Sequence, residues 1–176
     1  MQIYDNIGIN DAIYGQYIIT DSNGSIVISK HNTITLDGRK FILEGMLSNA
    51  SMKSTDLSDY DNLSFSKIVF IKTNDLTDYN LQYSNIKDNI TAEVDITTSD
   101  IKVNTAYTST NSTITDLCIK IQKSLTVTSS TQFSSIALIL TNKGTTNSEK
   151  VFSRIIIDPV YLNTNETYTL TYYIYF

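Results

Sequence analysis

Residues 151–176, VFSRIIIDPVYLNTNETYTLTYYIYF, decide the fold class. The stretch opens on an apolar run, Val151 to Ile157, interrupted by Ser153 and Arg154. Asp158-Pro159 follows. Proline fixes φ and removes a ladder donor, so the chain must turn there or run along a sheet edge. Asn163, Thr164 and Asn165 mark a second turn. The chain then alternates strictly: Tyr168, Leu170, Tyr172, Ile174 and Phe176 share one face, and Thr167, Thr169, Thr171, Tyr173 and Tyr175 share the other. A period of two in β-branched and aromatic residues is the pattern of a strand. Its apolar side chains continue to Phe176, which predicts an inner or paired position, because an unpaired apolar edge invites aggregation.

Upstream, short strands recur at roughly ten-residue spacing, the pattern of an antiparallel sandwich. Tyr17–Thr20 and Ser25–Lys30 flank Asp21-Ser22-Asn23-Gly24, whose Asn-Gly supplies the positive φ of a tight hairpin. Ile26 and Ile28 are expected on a buried face, and Asn32–Leu36 as a further short strand. The period then changes. Asp37 can cap a helix near residues 38–47, with Ile42/Met46 and Leu43/Leu47 four apart and Phe41 on either stripe. Ser48–Asn62 is polar and acidic and reads as a loop. In Phe65–Lys72, Phe65, Val69 and Ile71 oppose Ile68 and Phe70, a strand buried on both sides. Thr73–Asn89 reads as an irregular connection. Further strands are expected near residues 90–97, 101–107, 116–121, 124–128 and 135–141. The expectation is a mainly β protein, an antiparallel β-sandwich with one short α-helix, forming a single domain over residues 1–176. Residues 1–14 are expected as an extended arm that adds to a neighbour's sheet.

Composition narrows the function. A net charge of −5 and only two arginines, Arg39 and Arg154, argue against nucleic-acid binding, which needs clustered cations to neutralise phosphate. One cysteine forms no disulfide within the chain. Neither a secretory leader nor an apolar run of membrane-spanning length is read, so a protein made in a cytoplasm, with no membrane partner, is expected.

The search for chemistry is largely negative. A single histidine, His31, and a single cysteine, Cys118, make neither a two-His metal site nor a thiolate cluster. His31 reads as a surface residue and Cys118 as a small buried hydrophobe. No nucleophile elbow, P-loop or dinucleotide fingerprint is present. Asp56, Asp59 and Asp61 carry enough carboxylates for a calcium ion, but the loop lacks the glycine and closing Glu of an EF-hand and reads as solvated. No cofactor, metal or catalytic residue is therefore expected. Tyr79, Tyr83, Tyr107, Tyr173 and Tyr175 can stack on sugars, fill an interface or cover a sheet face. Arg39 and Arg154, scarce cations in an acidic chain, are expected to make carboxylate or carbonyl contacts that lock the fold or an interface.

Three segments in order resemble a family of small virion proteins of tailed bacteriophages. YIITDSNGSIVISKHNTITLDGRKFILEGML, residues 17–47, is similar to a hairpin of the form V-T-D-x-x-G-x-V leading into N-x-I-x-x-x-G-R. SFSKIVFIKTND, residues 64–75, resembles the strand that introduces the body of such a sandwich. The ending resembles one in which F-S-R starts a strand and L-T-x-x-Y-x-I closes the chain. The resemblance implies a non-enzymatic structural part of the particle, in the collar, tail or baseplate, as a fibre adaptor, or on the capsid surface. It implies other virion proteins as partners, a homo-oligomer, and no catalytic residue to carry over. The structural candidates are then Arg39, Arg154, Tyr173 and Tyr175. A receptor- or carbohydrate-binding module and a capsid decoration protein stand as alternatives.

Overall fold

The final strand lies deep in a sheet, with a hydrogen-bonded neighbour on each side. A computed structural model of the chain describes residues 13–49, 59–60, 62–72, 82–104, 118–142 and 148–176. Among them are nine strands and two α-helices: β1 (Tyr14–Thr20), β2 (Ile26–Ile34), α1 (Leu36–Asn49), β3 (Leu63–Ile71), α2 (Tyr83–Ile86), β4 (Ile90–Asp95), β5 (Ile101–Asn104), β6 (Cys118–Thr126), β7 (Thr131–Asn142), β8 (Lys150–Leu162) and β9 (Thr167–Tyr175). All pairings are antiparallel, in the order β4-β3-β7-β8-β2-β1-β9-β6-β5. The ribbon folds at β2. Its first part pairs with β1 in a front sheet, β2-β1-β9-β6-β5, and its last residues, Thr33 and Ile34, pair with Arg154 and Ser153 of the back sheet, β4-β3-β7-β8. The two sheets pack as an antiparallel β-sandwich.

The interior follows from the alternation. Tyr168, Leu170, Tyr172 and Ile174 of β9 meet Tyr17 and Ile19 of β1, and the back sheet contributes Ile68, Phe70, Ile136, Leu138 and Phe152. Two buried tyrosines, Tyr17 and Tyr172, lie with ring centroids 4.3 Å apart. The Tyr17 hydroxyl shares a hydrogen bond of 3.1 Å with Ser153 Oγ across the sandwich, and Asn32 Nδ2 donates to the Tyr172 hydroxyl at 3.2 Å. A hydroxyl buried without a partner costs about 1–3 kcal/mol, so these bonds permit the burial. Burial first, then the neighbouring Tyr172, pushes the Tyr17 pKa well above the ordinary phenol value. Gly15 makes room for this cluster, because a Cβ there would lie 2.0 Å from the Tyr172 hydroxyl.

Several boundaries differ from the sequence expectation. β1 begins at Tyr14 rather than Tyr17, so the arm boundary at residue 14 is corrected; residues 1–12 lie outside the described residues. Ser25–Lys30 and Asn32–Leu36 form one strand, β2, and a register shift at Ile19/Thr20 leaves Ile26 exposed while Ile28 is buried. In the hairpin only Gly24 has positive φ (80°), and the Asp21 carboxylate accepts from the Asn23 and Ser25 amides. Where two strands were expected, near 116–121 and 124–128, Cys118–Thr126 form one strand, β6; residues 116 and 117 lie outside the described residues.

Pro159 sits inside β8, along a stretch that β2 does not reach and next to a register shift opposite Phe133/Ser135. Pro159 therefore falls at a bulge on a stretch without a β2 partner, where a missing ladder donor is tolerated. In β3 the expected two-sided burial holds for Ile68 and Phe70 against Val69 and Ile71. Phe65, however, packs inward against Phe152, ring centroids 5.1 Å apart, because a register shift between Phe65 and Lys67 reverses the alternation.

The helix runs two residues further at each end than expected, and Thr35 caps it rather than Asp37. The Gly38 amide donates to Thr35 Oγ1 at 3.1 Å, while that hydroxyl donates to the carbonyls of Val151 and Phe152. A Cβ at Gly38 would stand 2.2 Å from the Phe152 carbonyl oxygen, which is how closely α1 approaches β8. Phe41 and Ile42 face the core and Glu44 is buried, whereas Leu43 and Met46 are exposed.

Candidate functional site

The outer face of the front sheet is built by the side chains that alternate away from the core. On β9 these are Thr167, Thr169, Thr171, Tyr173 and Tyr175. Register extends each across the sheet. Lys102 of β5 lies opposite Lys120 of β6, Lys120 opposite Tyr173, Tyr173 opposite Gln16 of β1, and Gln16 opposite His31 of β2. This row crosses all five strands, four spacings of about 4.8 Å. The neighbouring row places Tyr14 opposite Tyr175 and Tyr175 opposite Cys118.

The aromatic rings join the rows. Tyr14 stacks on Tyr175 at 4.7 Å, Tyr175 on Tyr173 at 5.8 Å, and the His31 ring meets Tyr14 edge-on at 5.4 Å. The Lys120 ammonium stands 5.9 Å from the Tyr173 ring centroid. Further along lie Ile18, Thr171 and Gln122, where Gln122 Nε2 donates to Thr171 Oγ1 at 3.3 Å. Every outward position of β1, β9 and β6 is aromatic, hydroxyl-bearing, amide, aliphatic, thiol or lysine. Asp and Glu are absent from them.

The back sheet has a different outer face. Val69, Ile71, Ala137, Ile139 and Val151 form a second small core there, closed by Ile86 of α2 and flanked by Tyr83 and Ile90. At its margin Lys67 bonds Glu93 and Glu149, each at 3.2 Å, and lies 5.2 Å from the Tyr83 ring. Burial alone would lower the Lys67 pKa, but hydrogen bonds to Tyr83, Glu149 and Glu93 outweigh it and raise the pKa above the ordinary lysine value. Beyond this network an open polar cleft of about 540 Å³ is lined by residues that include Asp37, Tyr83, Lys87, Glu149 and Lys150. Tyr60 stands nearby, its hydroxyl donating to Asp37 and its ring approached by Lys40 at 5.6 Å and Lys150 at 5.4 Å.

The four structural candidates fall in three places. Tyr173 and Tyr175 both lie on the front face, but Tyr175 is only 8 % exposed and is not the open ring expected. Arg154 lies on the outer side of the back sheet opposite Ala137. Its Nε donates to Ser135 Oγ at 2.6 Å, and Ser135 Oγ donates to the Ile155 carbonyl at 2.9 Å. The bond from Nε goes to a hydroxyl, where a carboxylate or carbonyl was expected, and desolvation lowers the guanidinium pKa. Arg39 occupies an exposed position of α1, where its amide donates to the Thr35 carbonyl.

Cys118 is buried as expected, and His31 is an exposed strand residue rather than a loop residue. Two intervening strands separate them, about 14 Å of sheet, too far for a nucleophile and its base. Tyr79, Tyr107, Asp56 and Asp61 lie outside the described residues, and among the described residues no group of three or more His, Cys, Asp or Glu is placed to hold a metal. Sequence reasoning missed Tyr60, buried although it sits in an acidic stretch, and Tyr161, which is 60 % exposed on β8. It also missed the pairing of Lys102 with Lys120.

Fold and face together define a mainly β, antiparallel sandwich. Comparison of the chain with protein-family models, curated proteins and solved structures gives no match.

Proposed function

We propose that this chain is a non-enzymatic structural component of a tailed-phage virion, assembling with other virion proteins and with copies of itself through its sheet faces. The observation that carries this reading is the outer face of the front sheet, five strands wide and rich in Tyr, Thr, Ser and Gln, on which Gln16, Lys120 and Tyr173 are partly exposed. Tyrosine-rich surfaces suit protein interfaces, because each ring buries a large apolar area while its hydroxyl keeps a polar partner. The resemblance of residues 17–47, 64–75 and 151–176 to small virion proteins supplies the particle. The collar, tail, baseplate or fibre-adaptor region is the position it favours, with the capsid surface as the alternative. Separation of His31 from Cys118 supports a role without nucleophilic catalysis.

The carbohydrate-binding alternative needs ring faces free to stack on sugar. Tyr14, Tyr173 and Tyr175 are stacked on one another, and the low exposure of Tyr175 weighs against it.

Quantitative mass spectrometry of purified particles tests the proposal. The chain is expected at a fixed copy number relative to the major particle proteins, retained through density-gradient purification. Its loss during purification, with retention of the isolated chain on a glycan array, would transfer the reading to a binding module.

A further inference from the structure

Asn23-Gly24 is the one Asn-Gly pair in the chain. It stands at the tip of the β1–β2 hairpin, where Ser22, Asn23, Gly24 and Ser25 are all exposed. Asparagine is among the chemically labile residues, and a glycine after it removes the side chain that would shield the next backbone nitrogen. A Cβ at Gly24 would meet nothing within 4 Å, so the pair stands open to solvent.

The hairpin nevertheless commits the atom that would react. The Gly24 amide donates to the Asp21 carbonyl at 3.1 Å, and the Asp21 amide donates to the Ser25 carbonyl at 3.0 Å. The Asp21 carboxylate adds two more bonds, its Oδ1 accepting from the Asn23 amide at 2.9 Å and from the Ser25 amide at 2.8 Å. Bonds from backbone amides to a carboxylate are charge-assisted and stronger than neutral ones. Gly24, at φ 80°, supplies the left-handed residue that lets such a turn close. Every one of these bonds uses an atom of Asp21.

We propose that Asn23-Gly24 is a deamidation site kept latched by the turn around Asp21, so that reaction proceeds only when the hairpin tip opens. The Gly24 nitrogen attacks the Asn23 Cγ and a bond forms between them. The Cγ–Nδ2 bond breaks, and Nδ2 leaves as ammonia with the proton that the Gly24 nitrogen gives up. The cyclic imide then takes up water at either of its carbonyls. Opening one way leaves aspartate at position 23. Opening the other way leaves isoaspartate, with the main chain running through the former side chain. No oxidant or cofactor enters, and the proposal is independent of the assembly reading above.

The consequence for the fold follows from the same bonds. Isoaspartate lengthens the main chain between positions 23 and 24, and either product places a new carboxylate near that of Asp21. The bonds of Gly24 and Ser25 to Asp21 then lose their spacing. The first strand pair behind the turn, Thr20 and Ile26, already borders a register shift. Further along, β1 stays paired with β9, so the loosening is confined to the hairpin tip.

Timed incubation of the full chain in mildly alkaline buffer tests the proposal, read by peptide mapping with mass spectrometry and an isoaspartate assay. Native wild type is expected to convert at Asn23 at least about tenfold more slowly than the same chain held unfolded in guanidinium chloride, because reaction waits on local opening. Asp21→Ala removes the carboxylate and its two bonds and is expected to speed conversion in the folded chain about tenfold, with circular dichroism confirming the fold. Ile139→Ala, which weakens the distant second core, should leave the rate at Asn23 near that of wild type, because the opening is local.

Conversion as fast in native wild type as in denaturant overturns the latch, as does a folded Asp21→Ala variant that reacts no faster. That first comparison decides the matter even where Asp21→Ala does not fold. Equal acceleration by Asp21→Ala and Ile139→Ala assigns the protection to overall stability and overturns the role of Asp21. Absence of conversion in the unfolded chain removes the site itself.

Discussion

The outer faces of the two sheets differ although their strands share the same antiparallel geometry. Behind the back sheet, Val69, Ile71, Ala137, Ile139 and Val151 are fully buried under Ile86, so β3 and β7 are covered on both sides. Beyond the front sheet, Tyr173, Gln16, Lys120 and Ile18 remain partly exposed, and Lys102 and His31 are open. One face is structural, and its loss costs stability. The other is only half covered by its own chain, and its changes should be read in association. Acidic residues follow the same division: they gather around Lys67 on the back and are missing from the outward positions of β1, β6 and β9 on the front.

The strongest way to break this comparison is a matched pair of truncations. Ile139→Ala, which opens a cavity in the second core, is expected to cost about 2–5 kcal/mol. Ile18→Ala on the front face should cost under about 1 kcal/mol. Urea unfolding measures both, and equal costs would mean that the front face is covered as fully as the back.

A smaller contrast separates two of the lysines that approach tyrosine rings, Lys67 on the back sheet and Lys120 on the front. Lys67→Met removes the ammonium that bonds Glu93 and Glu149 and should cost about 1–2 kcal/mol, discounted for the exposure of Glu93. Lys120→Met should be near neutral in the isolated chain. The sign of the pH dependence follows from the raised Lys67 pKa: its contribution is complete below the unfolded lysine value of about 10.4 and fades as pH rises through the higher folded value. The gap between wild type and Lys67→Met, followed by melting temperature, should therefore narrow in strong alkali.

The smallest effect lies where the two sheets connect, between β4 and β5. Asp100 accepts from the Thr97 hydroxyl at 2.7 Å, from the Thr97 amide at 2.8 Å and from Lys123 at 3.0 Å. The Thr97 hydroxyl leads in lowering its pKa, against a smaller opposing desolvation. Its contribution is present above the unfolded carboxylate value of about 3.9 and is lost as pH falls through the lower folded value. Asp100→Asn should cost about 0.5 kcal/mol at neutral pH and nothing in strong acid, measured as converging melting temperatures.

Much of the fold was legible where the signal is local. The alternation from Thr167 to Tyr175 placed Tyr168, Leu170, Tyr172 and Ile174 in the core, and the run at Val69–Ile71 announced a strand covered on both sides. Errors gathered where a distant partner intervenes. Phe65 turned inward because β3 bulges against β7, Thr35 took the helix cap because the carbonyls of β8 hold its hydroxyl, and Tyr60 was buried by Asp37, Lys40 and Lys150. The candidate face was half legible. Tyr173 and Tyr175 share a side of one strand, which the alternation states directly, but Lys102, Lys120 and His31 join them only through register.

The sequence by itself determined the strands, the mainly β class and which side of β9 enters the core, because a two-residue period is written in neighbouring side chains. Tertiary structure decided which strands adjoin, where β2 passes from one sheet to the other, and that Lys102 stands opposite Lys120. Register is a relation between strands far apart in the chain, and a bulge of one residue is enough to reverse it.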